Sequence, residues 1–419
     1  MLILATICAF CLLCFALLNL YWGHRVACLY QTHLARTADS DYTPSATVLL
    51  SLRGNDPFLS DCLHGLLNQD YPEYQVKIIV DHIDDPAYSF VAQYLAEHDH
   101  PHCDVSIREG MHGNCGLKNA SLVQAIGEVD EEVEVVAWLD ADVVPHRSWL
   151  RELVSPLQDP QTGVSSGIRW YAPQQANPGT MVRHAWNTAA LMQMVSLEIP
   201  WGGSIALSRD VFTHPQLVHS LSRMLWDDTG LKSIATRLDR KIAFVPAATM
   251  VNTESIPFHS CFRYMTRQLV NARFYHPHWW LIASLGLMTA VAQTTLLALG
   301  VLFLVQGNLS AAAASAGALL VSNACVALPI FRISLLIHQT VRARGDDFRR
   351  QPLRTLGYLG MTVYFFAAAL LAAMRTRMID WRGVLYHVPE PFDVRIMHYE
   401  PYQPPRESVG QFEIENISL

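Results

Sequence analysis

Two aspartates one residue apart end the apolar run "VEVVAWLDADVVP", Val133 to Pro145, and their spacing points to chemistry. The run is rich in Val and free of Gly and Pro, which predicts a buried strand whose acids fall where strand meets loop. Side chains alternate along a strand, so Asp140 and Asp142 leave it on the same side. The carboxyl edge of an open α/β sheet is where ligands bind. Two close carboxylates with positions left open for phosphate oxygens suit a hard cation, Mg2+ or Mn2+, facing a phosphorylated ligand. The alternative is a solvated turn in which Asp142 caps the next helix. A second acidic pair, Asp227 and Asp228 in "WDDTGL", offers either a carboxylate base or a helix cap.

Strands and helices alternate up to the first acids. The strand "ATVLLSL" precedes Asp56 and Pro57, a start signal for the helix "FLSDCLHGLLNQ". The strand "VKIIV" precedes Asp84, Asp85 and Pro86 and a helix through "YSFVAQYLAEH". A third strand, "CDVSIRE", leads to the glycine-bearing loop "GMHGNCGLKNAS", residues 110–121, and a helix to about Glu128. This β-α-β-α series predicts an α/β fold with a parallel, doubly wound, Rossmann-like sheet. Its loops "SLRGND", "DHIDD" and "DAD" should emerge along one edge, which suits a nucleotide. Neither a G-x-G-x-x-G fingerprint nor a Walker sequence occurs, so the acids, not glycines and a lysine, must carry the site.

The chain of 419 residues is 51% hydrophobic and only 16% charged, and the excess is localised. Leu2 to Trp22 carries no charge and would reach about 31 Å as a helix, enough to cross a bilayer core. Without a basic region before it or a small-residue cleavage pattern, it reads as a retained anchor, residues 1–24. Trp279–Val305, Leu309–Phe331 and Leu356–Met374 are further candidates, the middle one interrupted by Asn323 and Pro329. Between the anchor and these lie a folded domain, residues 45–260, and an amphipathic helix, residues 261–278. Arg263, Arg267 and Arg273 there are expected near lipid phosphates. The C-terminal membrane region, residues 279–374, contains a basic loop, residues 332–355, and a tail follows, residues 375–419.

His24, Arg25 and the loop arginines put residues 25–278 on the cytoplasmic side, with the N-terminus outside. Arg375, Arg377 and Arg382 resist this topology, because four crossings would leave them outside. A net charge of -7 gives no basic footprint, so nucleic acid is not an expected partner. The nine cysteines are scattered, and Cys8, Cys11 and Cys14 read as small packing residues of a membrane helix.

Taken together, the motifs resemble those of family 2 glycosyltransferases, and within them the ceramide glucosyltransferase-like membrane enzymes. "LLSLRGNDPFLSDCLHGLLNQDYPEYQVKIIVDHIDDPA" is similar to the family's opening loop, turn and nucleoside-contacting acid, here Asp81. "LDADVVP" resembles its metal-binding motif, "PWGGSIALSRDVF" its acceptor-side segment, and "WDDTGL" its E-D-x-x-L motif with Asp227 in place of Glu. "IDWRGVLY", Ile379 to Tyr386, is similar to the tail of related enzymes. The usual Q/R-x-x-R-W sequence is altered: in "RQLVNAR", opening at Arg267, Val270 and Asn271 replace Arg-Trp.

The resemblance implies a GT-A-type domain with transmembrane helices, and an enzyme that moves a hexose from a nucleotide-diphosphate sugar, with UDP expected, to a lipid hydroxyl. It implies Asp228 as catalytic base with Asp227 assisting, Asp142 and Asp140 as ligands of Mg2+ or Mn2+, and Arg53, Asp81, Lys118, Asp140 and Arg267 on the donor. Trp201, Gly202 and Gly203 are implied on the acceptor side, and Asn119 is a weaker donor candidate. A processive polysaccharide synthase, a polyprenyl-phosphate transferase and an inactive membrane scaffold are the competing readings.

Overall fold

The computed structural model describes residues 1–35, 41–110 and 114–403. Part of the glycine-bearing loop and the end of the predicted tail therefore lie outside the described residues. The chain opens with helix α1 (Leu2–Leu34), which runs ten residues beyond the expected anchor, residues 1–24. There follow β1 (Ala46–Leu52), α2 (Leu59–Leu67), β2 (Tyr74–Val80), α3 (Pro86–Glu97), β3 (Cys103–Ile107), α4 (Leu117–Gly127) and β4 (Val135–Leu139). Beyond β4 come α5 (Trp149–Val154), β5 (Thr162–Tyr171), α6 (Pro178–Leu197) and β6 (Ser204–Ser208). Three short helices, α7 (Arg209–Phe212), α8 (Pro215–Leu221) and α9 (Leu231–Arg237), precede β7 (Lys241–Asn252). Four longer helices then run as α10 (Phe258–Tyr275), α11 (Trp279–Val305), α12 (Leu309–Ala343) and α13 (Pro352–Arg375), and a small antiparallel sheet closes the chain with β8 (Met378–Trp381), β9 (Val384–Glu390) and β10 (Asp393–His398).

The first seven strands form one sheet in the order β3-β2-β1-β4-β6-β5-β7. Only β6 runs against the others, pairing antiparallel with β4 and β5. The expected α/β class with a mostly parallel sheet is therefore the observed one. The chain steps outward from β1 to β3, then returns to the other flank of β1 as β4, which makes the β1/β4 boundary the topological switch point. Apolar side chains drive this placement: Val135, Val136, Ala137, Trp138 and Leu139 are all buried, as befits a strand covered on both faces. Asp85 caps α3, its carboxylate accepting from the Ala87 amide at 2.9 Å. The α2 start differs: Asp56 accepts from the Phe58 amide, and the helix begins at Leu59, two residues after Pro57.

Four helices, α1, α11, α12 and α13, are long and apolar enough to cross a membrane. Helix α12 runs unbroken through Asn323 and Pro329 and on to Ala343, so the first half of the segment expected as a basic loop is helical. Proline removes one backbone donor, and neighbouring helices make such an interruption tolerable in an apolar bundle. Here the neighbour is Gly23 of α1, where an added Cβ would collide with the Pro329 ring. Gly23→Leu should therefore prise α1 from α12 and cost about 1–3 kcal/mol, read as a lower thermal midpoint in detergent. The helices are also mounted on the sheet. Tyr30 at the end of α1 shares a 2.7 Å hydrogen bond with Thr249 of β7, and Arg344 after α12 donates to the carbonyls of Ala247 and Thr249 at 3.1 and 2.7 Å.

Candidate functional site

Asp140 and Asp142 follow β4 directly at the carboxyl edge of the sheet, beside the switch point. Helix α5 starts only at Trp149, so Asp142 is not its cap. Lys118, in the first turn of α4, reaches across to this edge. Its Nζ donates to Asp140 at 2.6 Å and to the Gly202 carbonyl at 3.0 Å, and lies 3.0 Å from Asp227. Burial works against its charge, but the pairs with Asp140 and Asp227 outweigh it and hold the ammonium above its ordinary range. The Asp140 carboxyl is likewise lowered: burial raises it, and Lys118 and Arg169 more than reverse that. One lysine thus ties together the two acidic loops that the sequence shows 87 residues apart, Asp140 and Asp227.

Asp142 faces an arginine that the sequence reading missed. Arg169, near the carboxyl end of β5, sets Nη2 at 2.9 and 3.1 Å from the two Asp142 oxygens and 3.5 Å from Asp140. Its guanidinium lies over the Trp201 ring, 4.8 Å from the centroid. The signal was a lone cation at the end of a buried strand, "SSGIRWY", where charge needs a partner.

The second pair splits by environment. Asp227 is buried, accepts from the Trp138 indole at 2.7 Å, and sits so close to Gly202 that a Cβ there would lie 2.8 Å from its carboxylate. Burial, with Asp228 and Asp140 nearby and despite Lys118, pushes its carboxyl up to about 6. Asp228 is half-buried and turned into the cavity. Four donors orient it: the Gly202 amide at 3.1 Å, the Thr229 amide and hydroxyl at 2.5 and 3.1 Å, and the Asn271 side chain at 2.7 Å. Neither acid caps α9, whose N-cap is Gly230. Asn271 stands where the resembling motif has tryptophan, and in this fold that position touches the candidate base.

Asp81, at the end of β2, is sealed by contacts of its own. It pairs with Arg53 and Arg108 and accepts from the Tyr399 hydroxyl at 3.2 Å. Arg53 in turn donates to the carbonyls of Arg382 and Glu400, so the C-terminal segment covers this end. Asn119 is buried and donates to the Leu221 and Met224 carbonyls, a packing role in place of a donor contact. Arg267 lines the cavity, and burial lowers its guanidinium from the usual value. Arg273, expected near lipid phosphates, instead donates to the carbonyls of Ala373 and Thr376 at 2.6 Å each and caps α13. Gly203 packs under the Trp201 ring, while Trp201 and Gly202 face the cavity.

One continuous cavity gathers Arg53, Asp81, Lys118, Asp140, Asp142, Arg169, Trp201, Gly202, Asp227, Asp228 and Arg267. It is also lined by Ala190, Leu191 and Met194 of α6, Leu269 of α10 and Ile282 of α11. Among the described residues no third His, Cys, Asp or Glu joins Asp140 and Asp142 as a ready-made metal cage. Two carboxylates side by side in the lining of this cavity nevertheless fit a magnesium- or manganese-type ion, which keeps positions for water and phosphate.

Residues 4–391 match the family described as Glycosyl transferase family 21. The chain belongs to that family. The motifs had suggested family 2; the glycosyltransferase expectation holds and the matching family is family 21. A curated relative, "Glycosyltransferase AglE" of Haloferax volcanii, is 21% identical over 182 residues, 43% of this chain and 49% of its own length. The chain thus spans about half the length of the curated relative it matches. A solved structure, "Mannosyltransferase PcManGT from Pyrobaculum calidifontis in complex with GDP-Man and Mn2+", aligns at TM-score 0.53 with 18% identity, over 88% of this chain and 99% of that one. At that identity the likeness concerns the fold, which is of the GT-A type.

Proposed function

We propose that the protein is a membrane-bound inverting glycosyltransferase that moves a hexose from a nucleotide-diphosphate sugar, with UDP as the nucleotide, to the hydroxyl of a lipid. The observation that carries this reading is one cavity lined both by these acids and cations and by apolar side chains, among them Ile282 of α11, a helix able to enter a bilayer. Such a cavity lets a water-soluble donor and a bilayer acceptor meet.

Asp142 and Asp140 would hold a divalent cation, which supplies Lewis acidity to the leaving diphosphate when bound. Arg267 lines the same cavity and offers charge to phosphate oxygens, while Lys118 keeps Asp140 and the Asp227 loop in register. Arg53, held by Asp81, forms the nucleoside end of the wall. Asp228 accepts the proton of the attacking hydroxyl, and its four donors fix the direction from which it does so. Direct attack assisted by one base inverts the anomeric centre. A phosphate acceptor is already ionised and needs no base, which favours a hydroxyl.

The catalytic domain is assigned to the cytoplasm, where the arginines around residues 342–354 would lie. A tag inserted between Asp346 and Asp347 should be labelled only from that side. The function is tested by supplying purified protein with UDP-hexoses and fractionated lipids and following transfer by mass spectrometry. Sugar recovered only as free hexose or in a growing polymer would refute the lipid acceptor.

A further inference from the structure

Helix α13 is apolar enough to cross a membrane, yet both of its ends are tied to the same folded domain. At its start, Gln351 donates to the Pro173 carbonyl just beyond β5 at 2.5 Å, and the preceding loop is clamped to β7 through Arg344. At its end, Arg273 of α10 holds the carbonyls of Ala373 and Thr376. The chain then runs directly into β8, β9 and β10, which lie against the catalytic sheet. Arg382 pairs with Asp56 at 3.0 Å, the Leu117 amide donates to the Tyr386 hydroxyl at 3.3 Å, and Tyr399 reaches Asp81. A single crossing between Gln351 and Thr376 would place a hydrocarbon layer of about 30 Å between these partners.

We infer that α13 does not cross the bilayer but lies along the leaflet on the catalytic side, as an interfacial helix beside α6 and α10, so that α1, α11 and α12 are the crossings. Its surface fits that partner. Leu353, Met361, Tyr364 and Leu371 recur at helical spacing and are 82%, 45%, 44% and 43% exposed. The opposite side, with Leu359, Thr362, Leu370 and Ala373, is buried against its neighbours. Exposed Arg349 and Arg354 flank the start, and exposed Arg375 and Arg377 flank the end, where lipid phosphates would meet them. Laid flat, the 24 residues of α13 extend an apolar edge about 36 Å long along one leaflet.

The charge pattern agrees. With three crossings, Arg375, Arg377 and Arg382 share a side with the arginines of 332–354, and the conflict that four crossings create disappears. Nothing in this inference depends on the identity of donor or acceptor.

The test uses the full chain in sealed vesicles of known orientation. Epitope tags are placed before Met1, between Asp346 and Asp347, and after Leu419. Protection from added protease should give the second and third tags the same sidedness, opposite to the first. The second and third tags on opposite sides would overturn the proposal. Independently, spin labels at Leu353, Met361 and Leu371 should all report shallow, similar depths by oxygen and nickel-chelate collision. A deep centre at Met361 with shallow ends would indicate a crossing helix, and water exposure at all three would exclude the leaflet as partner; either outcome rejects the inference.

Discussion

Asp228→Asn should lower the turnover rate by a factor on the order of 10² to 10⁴ while leaving nucleotide affinity nearly unchanged. The amide keeps the size of the carboxylate but cannot take the proton of an attacking hydroxyl. The four donors around Asp228 shape the test: the amide oxygen can keep Thr229 and Asn271, which share one carboxylate oxygen, while the amide NH2 then faces the Gly202 amide and gives up that one contact. Asp227→Asn should do less to the chemical step, since that acid is buried between Trp138 and Lys118 and orients its neighbours. Product formation at saturating donor, together with UDP affinity by calorimetry, separates the cases. Near-normal turnover of Asp228→Asn would remove it as the base, and loss of both turnover and UDP binding would make it a structural residue.

Asp142→Ala should abolish cation-dependent activity, with a loss of about 10² to 10³ in rate if the ion contributes several kcal/mol of transition-state stabilisation. The geometry adds a second consequence. Arg169 loses its bidentate partner and keeps only the 3.5 Å approach to Asp140 and its place over Trp201. A guanidinium left next to Asp140 would then compete for the remaining carboxylate, so raised Mn2+ concentrations should restore little activity. Membrane insertion should stay normal, while the thermal midpoint should fall, because the largely buried Arg169 is left without its main partner. Full turnover of the unaltered protein in excess chelator would contradict the cation assignment.

The sequence by itself determined the first four strands, their order of appearance and the edge on which Asp140 and Asp142 fall, while β5 to β10 were not read from it. These follow from local rules: an apolar run buries, side chains alternate, and a strand ending in Asp140 and Asp142 presents both at one rim. The apolar helices were legible for the same reason, since length and composition belong to one segment. What depends on residues far apart was not legible. Arg169 meets Asp142 across 27 positions, Asn271 meets Asp228 across 43, and Tyr399 meets Asp81 across 318. Composition and periodicity report the neighbours of a residue along the chain, not the groups that packing brings to it. Thus Arg273 read as a lipid-facing charge but caps α13, and Asn119 read as a donor contact but satisfies two buried carbonyls. Each buried polar group had to find a partner, and only the tertiary arrangement decided which one.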